Sequence, residues 1–188
     1  MFQNKSLAAL AALSILMSGC IGCNKSAPAA PAASPPPASP ASGTSAALPP
    51  LPTRAQPKLA TTNLWIGPHV MKTELALREM EVTTGMMFRT NMGEMEGMLF
   101  VFAVPHQTSF WMKNCPLPLS AAYIDPNGVI QEIHPLEPFN TNSVTANADN
   151  IQFVLETPQG WFDRHNVKTG TVIRTEFGPL QDTFFRKR

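Results

Sequence analysis

Little in this chain advertises chemistry. Cysteine is scarce: Cys20 and Cys23 fall near the start, which leaves Cys115 alone in the body of the protein. A solitary thiol excludes a disulfide framework. It reads as a small buried hydrophobe, since a neighbouring Lys113 alone is thin support for a reactive thiolate. His69, His106, His134 and His165 stand singly, without the Cys/His spacings of a zinc site, so no metal and no cofactor is expected. The chain has no Gly-x-Ser-x-Gly nucleophile elbow, no Gly-x-Gly-x-x-Gly and no P-loop. Clustered positive charge is lacking too. All 13 acidic residues and only ten of the 14 basic ones lie from Leu59 onward, so that segment is net acidic. Arg186, Lys187 and Arg188 form only a short basic end, and a nucleic-acid binder needs a basic face. No nucleic-acid partner is expected.

What is abundant is proline, and most of it precedes Lys58. The extreme N-terminus carries Lys5, an apolar run from Leu7 to Met17 too short to span a bilayer, and then Ser18-Gly19-Cys20. This is the pattern of a lipoprotein signal over residues 1–19, with Cys20 as the acylated residue and Cys23 as a weaker alternative. Residues 20–57 then read as the lipidated Cys and a disordered Ala/Pro/Ser-rich tether. Such a stretch has too little large apolar surface to offset its ordering entropy and favours extended polyproline geometry. The expected location is exported and lipid-anchored at the cell envelope, on either the inner or the outer membrane, with the lipid membrane as a partner through Cys20.

From residue 58 to 188 the composition is that of a globular domain. Asn63–Gly67 and Val70–Leu77 read as strands about a Gly67-Pro68 turn, and Arg78 onward as a helix ending near Gly85. Gly97–Val104 is apolar on both faces, which suits a strand buried on two sides. Thr108–Lys113 alternates, with Phe110 and Met112 on one face and Ser109, Trp111 and Lys113 on the other. Leu119–Ile124 and Val129–His134 flank the hairpin signal Asp125-Pro126-Asn127-Gly128. Pro135–Asn150 reads as a long loop, Ile151–Thr157 as a strand, Gln159–His165 as a short helix and Thr171–Phe177 as a last strand. The expected fold is mainly β: a small antiparallel barrel or sandwich-like domain with two short helices.

Several motifs occur in a fixed order: Gly85-Met86-Met87-Phe88-Arg89, Glu96 through Phe102, Phe110-Trp111-Met112-Lys113-Asn114, Pro118-Leu119, Ile124-Asp125, Val154-Leu155-Glu156 and Gly160-Trp161. Together they resemble the bacterial and archaeal family called domain of unknown function 192, from about Leu59 to Phe177. The resemblance implies a compact β-rich domain, frequently exported, with no established activity and hence no catalytic residues to carry over. The chain departs from the family pattern at Cys115, where Thr is usual, and at Ser120, where Asp is usual.

The polar residues within those motifs are Arg89, Glu96, Lys113, Asn114, Asp125 and Glu156; all but Asp125 are site candidates, with Trp111 on the face of Lys113. Charged groups are rarely buried unpaired, so a carboxylate beside Arg89 or Lys113 serves either a structural brace or a ligand pocket. Aromatic surface with a few polar groups is a common way to hold a sugar or a small amphipathic molecule. The leading expectation is a non-catalytic binding module for a small polar or saccharide-like ligand. Two alternatives stand beside it: a hydrolase or transferase on envelope polymers using Glu96 or Glu156 as acid/base, and a structural or assembly partner. Whether the protein is an enzyme, and its oligomeric state, are left open by the sequence.

Overall fold

The computed structural model describes residues 52–186. The expected signal peptide, Cys20 and most of the Pro-rich stretch lie outside the described residues. Two strands open the domain, β1 (Thr61–Ile66) and β2 (His69–Ala76), joined through Gly67. A short helix α1 (Glu79–Thr84) follows, then β3 (Glu96–His106) and the two-residue β4 (Ser109–Phe110). Strands β5 (Leu119–Ile124) and β6 (Ile130–Leu136) form the hairpin, and β7 (Val144–Thr145) lies within the long connection after it. Strand β8 (Ile151–Pro158), helix α2 (Trp161–Arg164), β9 (Ile173–Thr175), β10 (Gly178–Pro179) and helix α3 (Leu180–Phe185) complete the chain.

Eight strands form one sheet in the order β10-β9-β1-β2-β3-β8-β5-β6, and β4 pairs with β7 apart from it. The mainly β expectation holds. The sheet is mixed rather than wholly antiparallel, because β2 and β3 run parallel. Parallel neighbours need a crossover rather than a hairpin, and the segment carrying α1 supplies it. A third helix, α3, adds to the two expected, and β4 is shorter than the run from Thr108 to Lys113. The sheet curls without closing into a barrel. Its two ends approach where Val129 bridges Val172 and Ile173 donates its N–H to the Gly128 carbonyl at 2.8 Å. Gly128 is required there: its φ is +82°, and a Cβ on it would lie 2.6 Å from the Ile173 carbonyl oxygen. Asp125 organises the same turn, its Oδ1 accepting the N–H of Asn127 and of Val129 at 2.9 Å each.

The central strands β3, β8 and β5 carry apolar groups on both faces. Leu99, Ala122, Ile124, Phe153 and Leu155 belong to one core, covered by Trp161 and Phe162 of α2 and Leu180 of α3. Met98, Phe100, Ala121, Tyr123 and Val154 belong to the other, covered by Met86 and Met112. This two-sided burial is why the Met98–Phe102 run and β8 read as continuous apolar sequence. Residues 52–57 are held against the domain: the Gln56 amide donates to the carbonyls of Glu81 and Gly85 at 3.1 and 2.9 Å. Among the described residues no helix is long and apolar enough to cross a membrane.

Candidate functional site

Strand alternation places Glu156 on the second core face, two residues beyond Val154. It sits between Met98 of β3 and Ala121 of β5. Ala121 is small, so the glutamate side chain has room where a larger neighbour would fill the space. The residue is 4% exposed, and its Oε2 has no hydrogen-bond partner. Burial alone pushes this carboxyl up to about 8, because ionising it in an apolar surround is costly. At neutral pH the group is mostly protonated.

Above it lies a cavity of about 270 Å³. One side is α1 and the segment that follows it, including Thr84, Gly85 and Met86; the base is Phe100 and Phe102 of β3. The other side is the β4 region, from Thr108 through Met112 with Lys113 and Cys115. Each wall has a local cause. Gly85, with φ +47°, brings the helix end against Phe100, where a Cβ would meet the ring at 3.2 Å. Phe110 stands edge-on to Phe100 at 4.9 Å between ring centroids and packs on Tyr123 at 6.2 Å. Its strand is held by β7, and the Tyr123 hydroxyl donates to the Val144 carbonyl of β7 at 2.6 Å. The two walls are tied together at one end, where Phe88 donates its N–H to the Asn114 carbonyl at 2.7 Å. Both residues have positive φ, 60° and 58°, a conformation that Asn tolerates better than most.

Three of the six sequence candidates therefore meet at one cavity: Glu156 at its floor, with Trp111 and Lys113 toward solvent. Trp111 is 39% exposed, and the Lys113 ammonium lies 5.3 Å from the centre of its ring. Asn114 closes the end of the site through its backbone and does not line the cavity. Arg89 and Glu96 lie elsewhere. Arg89 donates through Nη2 and Nη1 to Glu74 at 2.9 and 3.2 Å, with both side chains largely buried, and Nη2 also reaches the Pro57 carbonyl at 3.2 Å. Glu74 in turn accepts the Leu59 N–H at 2.8 Å. This is a brace that fastens the start of the domain. Glu96 accepts the Gly93 N–H at 2.9 Å and lies 4.0 Å from Lys58. The cleft shared by Arg89 and Glu96 is about 20 Å³, room for a water and not for a ligand.

Cys115 is buried in the cavity wall, as the sequence suggested. Desolvation, and then the nearby Glu156, push its thiol up to about 11, which leaves it inert as a nucleophile. Ser120 faces away from Glu156, beside Thr157, and its hydroxyl accepts the Gly160 N–H at 3.0 Å. The family's Asp at this position would occupy a strand-to-helix junction rather than the cavity. Sequence reading missed the aromatic base, Phe100 and Phe102, which it assigned wholly to core. It also missed Glu74, whose place on a strand face gave no hint of its partner.

The family model of domain of unknown function 192, described as Uncharacterized ACR, matches residues 62–175. No curated protein matches the chain. Two solved structures are similar. A Sinorhizobium meliloti protein, provisionally described as a transcription regulator, is 28% identical with a TM-score of 0.60, over 64% of this chain and 98% of its own. A protein of unknown function from Novosphingobium aromaticivorans is 29% identical with a TM-score of 0.59, over 62% of this chain and 86% of its own.

Proposed function

Since the chain belongs to the family of domain of unknown function 192, which brings no activity with it, we propose from the cavity itself that this domain is a non-catalytic binding module for a small molecule. The observation that carries this reading is Glu156: a buried carboxyl with an unpartnered oxygen at the floor of an aromatic-lined cavity. A buried polar atom left unpaired costs about 1–3 kcal/mol. A ligand group that pairs with it recovers that cost and gains a specific anchor.

The saccharide-like ligand read from the sequence is one candidate, with Trp111 as its stacking surface. Hydrolysis or transfer is the second reading, favoured by the raised Glu156 acidity, which suits a general acid. It is weakened because, among the described residues, Glu156 is the one carboxylate lining the cavity, and polymer hydrolysis typically uses a pair. A role like that named for the Sinorhizobium protein is not adopted, since the domain carries an excess of acid and no basic cluster. In the cell we place the module at the envelope, exported and anchored to lipid through acylated Cys20. Metabolic labelling with a palmitate analogue tests this: parent protein takes up label in the membrane fraction, and label retained by Cys20→Ala refutes the assignment.

A thermal-shift screen of envelope sugars, amines and small metabolites on the full chain tests the binding function, because a ligand of the native state raises its melting temperature. Ser109→Trp supplies the control. Ser109 is exposed and lines the cavity, so the indole obstructs the site at little cost to the core. A ligand that stabilises the parent and not Ser109→Trp supports the reading. Hits that stabilise both equally, or a screen with no hits, contradict it.

A further inference from the structure

Resting on the reading that this cavity binds a small molecule, we infer that its ligand is a compact protonated amine with an aromatic or similarly apolar body, whose N–H meets the Glu156 carboxylate. Four observations select this class. The floor offers an unpartnered carboxyl oxygen, which, once ionised, calls for a donor. The base and walls around it are phenylalanine rings and thioethers from Phe100, Phe102, Phe110 and Met112, which suit an apolar body and, for a cation, ring faces. Among the described residues no cation offsets Glu156, whose perturbation comes from burial alone. Lys113 is instead placed with Trp111 on the solvent side. The other polar groups of the lining are the hydroxyls of Thr83, Thr84, Thr108 and Ser109 beside Lys113, and one is spent: the Thr84 hydroxyl donates to the Met80 carbonyl at 2.7 Å.

The competing classes fit less well. An anion would be buried beside a carboxyl with no cation at depth, at a high electrostatic cost. A saccharide presents a hydroxyl on nearly every carbon, and most of them would face phenylalanine and methionine. The volume agrees with a single ring bearing a short chain. An apolar cavity of ~150 Å³ holds benzene, and this one measures about 270 Å³.

Amine binding leaves a signature in protons. Near pH 7 the free carboxyl is mostly protonated and the free amine is an ammonium. Pairing them as carboxylate and ammonium sends one proton to the buffer. The other titratable groups near Glu156 are Cys115 in the cavity wall, Tyr123 packed behind Phe110, and Lys113. The first two are pushed upward by burial, so neither releases a proton in this range.

The experiment is calorimetric titration of the full chain at pH 7 with 2-phenylethylamine, 2-phenylethanol and 3-phenylpropionate, in two buffers of different ionisation enthalpy. The expected result is amine binding at least about tenfold tighter than the alcohol, a difference of ~1.4 kcal/mol. Close to one proton is released per amine bound. Glu156→Gln, which keeps the shape of the side chain, loses both the preference for the amine over the alcohol and the proton release. Equal or tighter binding of alcohol or acid, or amine binding unchanged in Glu156→Gln, overturns the amine assignment and leaves the cavity reading intact. Failure of all three probes to bind overturns both.

Discussion

Replacing Glu156 by Gln should move stability steadily in favour of the variant as pH rises. The unfolded chain ionises this carboxyl near its ordinary value of 4.5, whereas the folded one holds its proton to about 8. Below pH 4.5 both states are protonated, and the group adds no pH dependence. Between 4.5 and 8 the unfolded state loses a proton that the native state keeps. Native stability therefore falls by ~1.4 kcal/mol per pH unit across that window and levels off above it. The whole window amounts to ~4–5 kcal/mol. Glutamine does not titrate, so the difference between variant and parent isolates this slope from every other ionising group. The amide brings its own unpaired donors, at ~1–3 kcal/mol, but that offset is independent of pH. Urea unfolding of parent and Glu156→Gln at pH 5, 7 and 9 reads the difference directly. It should move in favour of Gln by ~3 kcal/mol or more from pH 5 to pH 9. A difference that stays level within ~1 kcal/mol would falsify the assignment of a buried, proton-holding carboxyl at this position.

Three further outcomes follow from named contacts. Arg89→Ala strands the largely buried Glu74 carboxylate and frees Pro57, so it should destabilise by ~3–5 kcal/mol in chemical denaturation; a loss under ~1 kcal/mol would mean that the pair is solvated. Gly128→Ala forces a Cβ against the Ile173 carbonyl at a φ of +82°, and its melting temperature should fall by roughly 10 °C or more, in line with a cost above ~2 kcal/mol. Cys115, buried with its thiol pushed to about 11, should resist iodoacetamide in the native protein at pH 8 and react once urea unfolds it, as followed by mass mapping of its peptide; rapid native labelling would contradict its burial.

How much of this was legible in the residues varies with the range of the interaction. The hairpin at Asp125-Pro126-Asn127-Gly128 was readable because turn chemistry is local, and the strand Leu119–Ile124 falls where expected. Burial on both faces was readable from Gly97–Val104, since an unbroken apolar run leaves no polar side for water. The parallel pairing of β2 with β3 was hidden, because nothing in either strand's pattern distinguishes parallel from antiparallel partners. The short helix after Pro179 was missed because Leu180–Phe185 is too brief for its periodicity to stand out.

The site divided along the same line. Glu156 was conspicuous as a charge in an apolar strand, and Trp111 and Lys113 as neighbours on one strand face. Arg89 looked equally functional by composition, yet its partner Glu74 lies 15 residues away on β2, so its role as a brace needed three dimensions. Asn114 was noticed for its amide, whereas its use lies in a backbone conformation that asparagine tolerates. Phe100 and Phe102 gave no signal at all, because an aromatic residue that lines a cavity and one that fills a core are written alike.

The most direct measurement is backbone-amide NMR of the full chain titrated with 2-phenylethylamine. Binding at the Glu156 cavity predicts saturable shifts confined to residues 82–87, 98–102, 108–115 and 154–157, all lost in Ser109→Trp. Shifts spread over the outer face of β1 and β2, around Trp65 and Val70, or no saturable shifts at all, would contradict a ligand site above Glu156.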